Sequence, residues 1–389
     1  MFFCIKYTEN LFSMRMFLTK TTEFLYQKIA KPLFFLVNPE TMHMGFWFFG
    51  HLLWKLTFTR RLTRKRFAYT NPALAQTIAW LTFSNPLWLG AWFDKDVQLC
   101  HIISDVGFWC TEIGSVTAEP YAWNPKPRLY RLIQSQGLIV YYGLKNNWID
   151  WAIKKLKSYN DIQIPVVISL AKTNCQRTTD TEAWKNDYLV SLDKCIDANV
   201  GDIYELNISC PNAFGGENFT HPENLKALLS AVKERGIQKP LFIKMPVDCE
   251  RKELKELIDI CIQFNVTGIV ISNLTKNREH ITEKDKITHF HWWISWKPTV
   301  QKSNELIWKA YQYCWKKLII IGVWWIFSAE DAYEKIRQWA TLLQLITGMI
   351  FQWPQRIGQI NKWLVELMKK DWYDHISQVI WSAHFTTPQ

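Results

Sequence analysis

The sequence predicts an α/β protein: a (β/α)8 barrel of the TIM-barrel type preceded by an α-helical extension. Eight short apolar, β-branched runs follow one another along the chain, separated by stretches with helical periodicity. Continuous apolar strands of this kind are typical of a parallel sheet covered on both faces. Eight in succession favour a closed barrel over an open doubly wound sheet. The runs span residues 87–93, 107–114, 166–172, 202–208, 241–245, 268–272, 318–323 and 343–348.

Three of the intervening stretches have clear helix signals. Residues 180–198 begin with an acid that can cap a helix, and residues 222–235 have apolar positions at helical spacing. Residues 328–338 open with a serine at the N-cap position and acids in the first turn. We therefore predict barrel helices at these three places.

Residues 23–60 differ from the rest of the chain. They predict two amphipathic helices that break near Asn38 and Pro39, with the proline opening the second helix. Their aromatic side chains and the basic cluster that follows suit an anchor at a membrane surface. Packing on the barrel or on a partner subunit is the alternative. The cluster comprises Arg60, Arg61, Arg64, Lys65 and Arg66.

Length and composition limit the class of protein. With 389 residues, 48% hydrophobic and 21% charged, the chain fits one large barrel plus an appendage. Its nine cysteines lack C-x-x-C spacing, so we expect reduced thiols. The net charge of +11 attracts nucleic acids, anionic lipids or anionic small molecules. No apolar run reaches the roughly 18 residues that span a bilayer.

We divide the chain into four parts. Residues 1–22 form an N-terminal segment without an assigned role. Residues 23–66 form the helical, membrane- or quinone-associated extension. Residues 67–375 form the barrel, and residues 376–389 form a C-terminal tail.

Polar residues stand where the predicted strands end. Strand one ends in "FDKD", strand four in "NISCPN", strand five in "IKMP", strand six in "ISN" and strand eight in "ITG". Catalytic groups of such barrels lie at this face. Lysines suit an anion and asparagines suit ring carbonyl and NH groups. Any single asparagine is equally typical of a turn, but the whole set predicts a site for an anionic planar ligand.

These motifs resemble the dihydroorotate dehydrogenase family. The strings "FDKD", "TEIGSVT", "KPRLYRL", "NISCPN", "IKMPVD", "VISN", "KPTVQKSNELI" and "QLITGMIF" occur in the family's order over about residues 25–370. The resemblance implies a barrel that binds FMN at the strand carboxyl ends. It implies oxidation of dihydroorotate to orotate in pyrimidine biosynthesis, with Cys210 removing a proton from C5 while hydride passes from C6 to flavin N5.

The resemblance also assigns binding residues. Those implied for substrate are Lys95, Asn207, Asn212 and Asn273. Those implied for FMN are Ala91, Lys95, Ser115, Ser169, Asn207, Lys244, Ser272, Trp296, Trp325, Ile346, Thr347 and Gly348. Two positions depart from the family pattern, since Val140 and Ser169 stand where many relatives have asparagine. No metal is expected.

The sub-type rests on two opposing features. The extension with "NPETMH" resembles the group that reduces quinone at the membrane, which predicts a peripheral protein on the cytoplasmic face of the membrane and no nucleic-acid partner. A cysteine at the position of Cys210 is instead typical of soluble relatives that use fumarate or NAD. A different FMN barrel reductase also fits part of the pattern, and so does a basic module that binds nucleic acid or membrane without activity. Such a module predicts basic residues on one face and no convergence at the strand ends.

Tryptophan is unusually frequent. The chain has 22 Trp and only 15 Gly. Many Trp stand where the resemblance predicts Gly, in turns that need positive φ or close backbone approach. We therefore hypothesise that these positions are encoded by UGA codons, which the host reads as glycine and which the given sequence shows as Trp. Trp184 is expected to be a genuine tryptophan. The positions are Trp88, Trp92, Trp109, Trp148, Trp292, Trp293, Trp296, Trp324, Trp325, Trp339 and Trp353.

Overall fold

A computed structural model describes the protein at residues 21–178, 180–210, 218–279, 281–285, 293–295, 299–323, 325–380 and 382. In chain order the strands are β1 Gln76–Ile78, β2 Leu81–Phe83, β3 Leu87–Asp94, β4 Cys110–Val116, β5 Leu129–Leu132, β6 Gly137–Val140, β7 Val166–Leu170, β8 Ile203–Asn207, β9 Leu241–Met245, β10 Gly268–Ile271, β11 Trp293–Ser295, β12 Ile319–Val323 and β13 Leu342–Leu345.

The α-helices are α1 Lys31–Leu36, α2 Pro39–Lys55, α3 Thr57–Phe67, α4 Ile103–Val106, α5 Ile149–Lys157, α6 Thr181–Asp197, α7 Pro222–Lys233, α8 Arg251–Gln263, α9 Thr299–Cys314, α10 Ala329–Arg337, α11 Thr347–Gln352, α12 Gln355–Lys370 and α13 Ile376–Val379. A π-helical turn, Tyr26–Ala30, leads into α1. Short 3-10 turns are Pro72–Leu74, Gln176–Thr178, Asn218–Thr220 and Glu283–Asp285.

Eight parallel strands close into a barrel. Their order is β3, β4, β7, β8, β9, β10, β12 and β13, and β13 pairs with β3 to complete the ring. All eight predicted strands are confirmed, as are the predicted helices α6, α7 and α10. The fold class therefore agrees with the prediction. A three-stranded antiparallel sheet, β5, β6 and β11, was not predicted.

The barrel interior has an apolar layer at its amino end. Cys110, Val167 and Phe242 share one buried cluster with the β1–β2 hairpin. Side chains two residues apart on a strand face the same way. The inward positions of the next layer are therefore Glu112, Ser169 and Lys244, and all of these are polar.

The extension breaks where the sequence predicted. Val37 has extended φ and ψ, and the side chain of Asn38 accepts hydrogen bonds from Glu40 N and Thr41 N at the start of α2. A second break at Leu56 was not predicted, and it separates α2 from the basic helix α3.

One face of the extension packs on the barrel, as one of the two interpretations predicted. Arg128 makes two hydrogen bonds with the Glu40 carboxylate, at 2.9 and 2.8 Å. Arg131 donates to Val37 O at 2.8 Å, and Tyr26 donates to Ile350 O at 2.8 Å. These contacts join the extension to β5 and to helix α11.

The basic cluster is used partly inside the molecule. Arg60 Nε lies 2.8 Å and Arg64 Nη2 lies 2.6 Å from the two oxygens of Asp105, which is completely buried in α4. Arg60 also pairs with Asp161. Two of the five predicted membrane-facing cations therefore hold α3 against the barrel, and Arg61 stays exposed.

The carboxyl-terminal segment contributes to the core. The part that was expected to be a tail begins with α13, whose Ile376 and Val379 are buried. His375 Nε2 contacts Ala75 O at 2.8 Å and ties this helix to the barrel. Among the described residues, no helix has the length and apolarity needed to cross a bilayer.

Candidate functional site

A cavity lies at the carboxyl ends of the barrel strands, with β6 and β11 over it. It encloses about 970 Å³ of space, part of which is open to solvent. Its lining joins the ends of β3, β4, β8, β9, β10, β12 and β13, where inward side chains can reach a common ligand. Leu138, Val140 and Ser295 of the unpredicted antiparallel sheet form part of its cover.

One side of the cavity is polar, and we call it the polar wall. Its members come from β4, β7, β8, β9 and the end of β10, which are neighbouring strands. They are Glu112, Ser115, Ser169, Glu205, Asn207, Lys244 and Asn273. Four of them line the cavity directly, namely Ser115, Asn207, Lys244 and Asn273, and the other three lie behind these.

A chain of hydrogen bonds crosses the polar wall. Asn273 Nδ2 donates to Asn207 Oδ1 at 2.9 Å, and Asn207 Nδ2 donates to Ser115 Oγ at 2.8 Å. Ser115 Oγ lies 2.8 Å from Ser169 Oγ, and Ser169 donates to Glu205 Oε1 at 2.9 Å. Because Ser169 uses its only proton on Glu205, Ser115 must donate to Ser169. Because Glu205 accepts at the end of this series of hydrogen bonds, it determines the donor direction of every bond in the series. It thereby also determines the orientation of the Asn207 amide.

Lys244 sits between two buried carboxyl groups. Its Nζ lies 3.6 Å from Glu112 Oε1 and 3.6 Å from Glu205 Oε1. Burial alone would lower the pKa of Lys244, but the two carboxylates outweigh burial and raise it. Burial and then the charge of Glu205 raise the pKa of Glu112 well above its usual range. A protonated Glu112 makes the trio neutral, which is how a buried charged group persists.

Lys95 and Cys210 line the same cavity. Lys95 follows β3, and its Nζ lies 4.7 Å from the centre of the Tyr142 ring. Burial lowers the pKa of Lys95 to about 7, although Asp96 and Cys210 oppose the shift. Burial lowers the pKa of Lys172 to about 8, again opposed by Cys210. Cys210 therefore lies in the electrostatic range of two lysines, and a cationic environment stabilises a thiolate.

The other side of the cavity is aromatic, and we call it the aromatic end. It comprises Trp92, Tyr142 and Trp325. Trp92 stacks on Tyr142 with centroids 5.4 Å apart, and Trp325 stacks on Phe327 at 4.0 Å. Trp92 also stacks on His43 of α2 at 5.5 Å, so the extension reaches the cavity from this side. Burial lowers the pKa of His43 to about 4, and the ring is neutral at physiological pH.

Most predicted site residues meet at this cavity. Ser169 lies behind the lining, in contact with Ser115, and Asn212 and Trp296 lie outside the described residues. The predicted residues that line the cavity are Ala91, Lys95, Ser115, Asn207, Cys210, Lys244, Ser272, Asn273, Trp325, Ile346, Thr347 and Gly348.

Three polar residues near the cavity were missed by the sequence analysis. Glu112 and Glu205 flank Lys244, and Gln344 Nε2 donates to Glu112 Oε2 at 2.7 Å. The sequence pattern could have indicated them, since each is a polar residue inside a mostly apolar predicted strand. Charged residues are seldom fully buried without a partner. An acid in a barrel strand therefore predicts a partner across the barrel.

Comparisons with known proteins identify the family of the chain. A family model described as dihydroorotate dehydrogenase matches residues 73–368. A dihydroorotate dehydrogenase (quinone) of Nautilia profundicola is 31% identical over 362 residues, covering 90% of this chain and 95% of that protein. One of Crocosphaera subtropica is 33% identical over 340 residues, covering 85% and 88%. The structure of a DHODH from Eimeria tenella with ferulenol has a TM-score of 0.74 at 21% identity, covers 84% of this chain and 94% of that one, and supports the fold.

Proposed function

This chain belongs to the dihydroorotate dehydrogenase family, and from that premise we propose that it oxidises dihydroorotate to orotate in pyrimidine biosynthesis, with FMN as cofactor and a quinone as electron acceptor. The observation that carries the proposal is the convergence of Lys95, Asn207, Cys210 and Asn273 on one cavity beside Lys244. A different FMN barrel reductase would not need this combination.

The polar wall fits the ring of a flavin. Lys244 is a buried cation with neutralising carboxylates behind it, so it can face the electron-rich pyrimidine edge of the ring. Ser115 and Asn207 offer hydrogen-bonding groups at the same height. The assigned phosphate end does not fit equally well. A Cβ at Gly348 would lie 1.9 Å from Ile326 O, which marks a tight backbone turn, but the Trp325 indole fills the adjoining space.

The chain's own residues supply binding and proton transfer. Lys95 attracts the carboxylate of the substrate, and Asn207 and Asn273 hydrogen-bond its ring amides. Cys210, as thiolate, removes the proton from C5, and the nearby lysines favour the thiolate form. When bound, FMN supplies the acceptor for the hydride that leaves C6.

The quinone acceptor is supported by the extension and by the relatives. The curated relatives are named for quinone, and this chain aligns with 95% of one of them. The extension reaches β3 beside the cavity, where His43 Nε2 lies 2.9 Å from Phe93 O. A quinone entering between α2 and the barrel would therefore approach the aromatic end. Cys210 remains the one feature typical of relatives that use fumarate or NAD.

The test is orotate formation by enzyme purified from its native host. We expect dihydroorotate oxidation with a short-chain quinone, and much slower turnover with fumarate or NAD. The matched variant is Cys210→Ser, which replaces the thiol by a hydroxyl group of similar size. Turnover with NAD or fumarate and none with quinone would overturn the acceptor. Absence of orotate with every acceptor would overturn the activity.

We also place the protein on the cytoplasmic face of the membrane as a peripheral protein. Among the described residues, fourteen of the twenty-one exposed large apolar side chains lie between Phe24 and Leu62. Phe48, Phe49 and Leu52 lie on the outer side of α2, away from the barrel contacts of His43 and Trp47. Such a concentration marks an interaction surface.

Vesicle binding tests the membrane surface. We expect Phe48→Ser together with Phe49→Ser to weaken sedimentation with anionic vesicles at least tenfold, because the double variant lacks the apolar rings that leave water on membrane binding. Ile133→Ser removes an exposed apolar residue from the turn between β5 and β6, outside the extension, and should change nothing. Equal binding by the double variant and the parent would exclude this surface.

A further inference from the structure

Eight tryptophans have a backbone conformation that favours glycine. Fifteen described residues other than glycine have positive φ, and eight of these fifteen are Trp. No described Phe or Tyr is among the fifteen, although Phe and Tyr outnumber Trp in the chain. Bulkiness or aromaticity therefore does not explain the pattern. The eight are Trp80, Trp92, Trp148, Trp315, Trp325, Trp339, Trp353 and Trp372.

Two of them occupy a region that only glycine normally enters. Trp148 has φ 70° and ψ 170°, and Trp353 has φ 74° and ψ 157°. A Cβ collides with the neighbouring backbone in this region, so side-chain-bearing residues are almost absent from it. Glycine has no Cβ and adopts such angles freely.

Two others close helices in a motif that glycine or asparagine usually completes. Trp339 follows α10, and Ala340 N donates to Lys335 O at 3.0 Å; Trp372 follows α12, and Tyr373 N donates to Met368 O at 2.8 Å. The same bond closes α6 and α8, where Asn199 and Asn265 hold the positive φ. This is the Schellman ending, whose left-handed residue is usually Gly and sometimes Asn.

Packing does not offset the backbone cost at several of these positions. Trp372 is 93% exposed, Trp80 71% and Trp315 65%. These indoles bury little surface, so they gain little hydrophobic free energy. At Trp92 the indole is partly buried, and its buried Nε1 has no hydrogen-bond partner among the described residues.

We infer that glycine is the native residue at these eight positions, encoded by UGA codons that the host reads as glycine. The inference adds Trp80, Trp315 and Trp372 to the positions that the sequence indicated. The effect of these glycines on the FMN site rests on the proposed function. Glycine at positions 92 and 325 removes two indoles from the aromatic end of the cavity, and the loss of the Trp325 indole opens space next to Gly348 for the phosphate of FMN.

The gene and the native protein provide the first test. We expect UGA at all eight codons and UGG at Trp184, which lies within helix α6 and is fully buried in the core. Peptide mass spectrometry of the host protein should show glycine residues at the eight positions. UGG codons there, or Trp-containing peptides, would overturn the inference. Neither measurement depends on activity, so this result is separate from the success of the proposed function.

Thermal unfolding of two matched variants tests the backbone argument. Trp372→Gly should raise the unfolding temperature of the tryptophan-containing chain by about 2 °C, because the left-handed position is relieved and little packing is lost. Trp363→Gly is the control, since Trp363 is 50% exposed and lies inside α12. It should lower the unfolding temperature, because glycine weakens a helix interior. Equal changes in both variants would contradict the argument.

FMN titration tests the consequence for the site. We expect the chain with Trp92→Gly and Trp325→Gly to bind added FMN at least tenfold more tightly than the parent, measured by flavin fluorescence. Trp123→Gly removes an indole that packs on Tyr142 but does not line the cavity, and it should give no gain. If the double variant binds FMN no better than the parent, the assignment of the phosphate to this end is wrong, whatever the codons show.

Discussion

The two sides of the cavity differ in how well their side chains suit their backbone. On the polar wall, residues from five neighbouring strands pair with one another through hydrogen bonds and ion contacts. At the aromatic end, Trp92 and Trp325 both have positive φ, which bulky residues avoid. The first side is internally consistent, and the second holds side chains that its backbone does not favour.

The difference shows that side-chain pairing and backbone conformation give separate information about function. Buried polar groups that pair with one another across a barrel interior are expensive to assemble, so their presence indicates a site maintained for chemistry. A backbone shaped for glycine indicates a turn that approaches a ligand or another chain segment closely. The proposed reaction therefore rests on the side chains of the polar wall, and the proposed phosphate site rests on the backbone of the aromatic end.

The largest expected effect on the polar side of the cavity comes from the base. Cys210→Ala should lower kcat by about 10²–10⁴-fold, because no other thiol replaces the proton acceptor. Orotate affinity should stay within about twofold, which a binding titration checks. Cys249→Ala, at another partly buried thiol, is the control. A kcat within tenfold of the parent would remove Cys210 from the catalytic step.

The next effect concerns the charge balance around Lys244. Lys244→Met should lower the free energy of unfolding by about 3–5 kcal/mol, because it leaves Glu112 and Glu205 buried without a cation. Urea denaturation measures the loss. Lys335→Met is the matched control, since the hydrogen bonds that the buried Lys335 Nζ donates among the described residues go to the neutral groups Ser303 Oγ and Asn304 Oδ1. Equal losses in the two variants would mean that the carboxylates do not depend on Lys244.

The pH dependence of ligand binding tests Lys95. Burial lowers its pKa to about 7, so the side chain is charged below that pH and neutral above it. Attraction for an anion is therefore present at low pH and lost as pH rises. We expect the Kd of orotate to rise by up to about tenfold per pH unit above about 7. In Lys95→Met the dependence should disappear, and an unchanged slope in that variant would assign the titration to another group.

The smallest effect concerns the hydrogen-bond chain. Ser169→Ala interrupts it between Ser115 and Glu205, which should cost about 1 kcal/mol, or roughly fivefold in kcat/KM. The loss should appear mainly in KM, because the orientation of Asn207 is affected and the base is not. Ser191→Ala, at a buried serine in α6, should leave kcat/KM unchanged. A pure kcat effect would contradict a role in orientation.

Local pattern was sufficient for much of the molecule. Each barrel strand is an apolar run buried on both faces, so composition alone located all eight, and the cap at Asn38 located the start of α2. The antiparallel sheet escaped prediction because β5, β6 and β11 are short, and because β11 lies far from the β5–β6 hairpin in sequence. The pairing of Arg60 and Arg64 with Asp105 escaped for the same reason, since it depends on how α3 docks.

By itself, the sequence determined the barrel, the family motifs at the strand ends and the excess of tryptophan, because each depends on residues close together in the chain. Only the tertiary structure decided which of those residues meet. Closure of the barrel brings Glu112, Glu205 and Lys244 together from three strands, and their opposite charges then determine one another's protonation. Only the folded backbone has φ angles, and those angles single out the tryptophans that stand in positions suited to glycine.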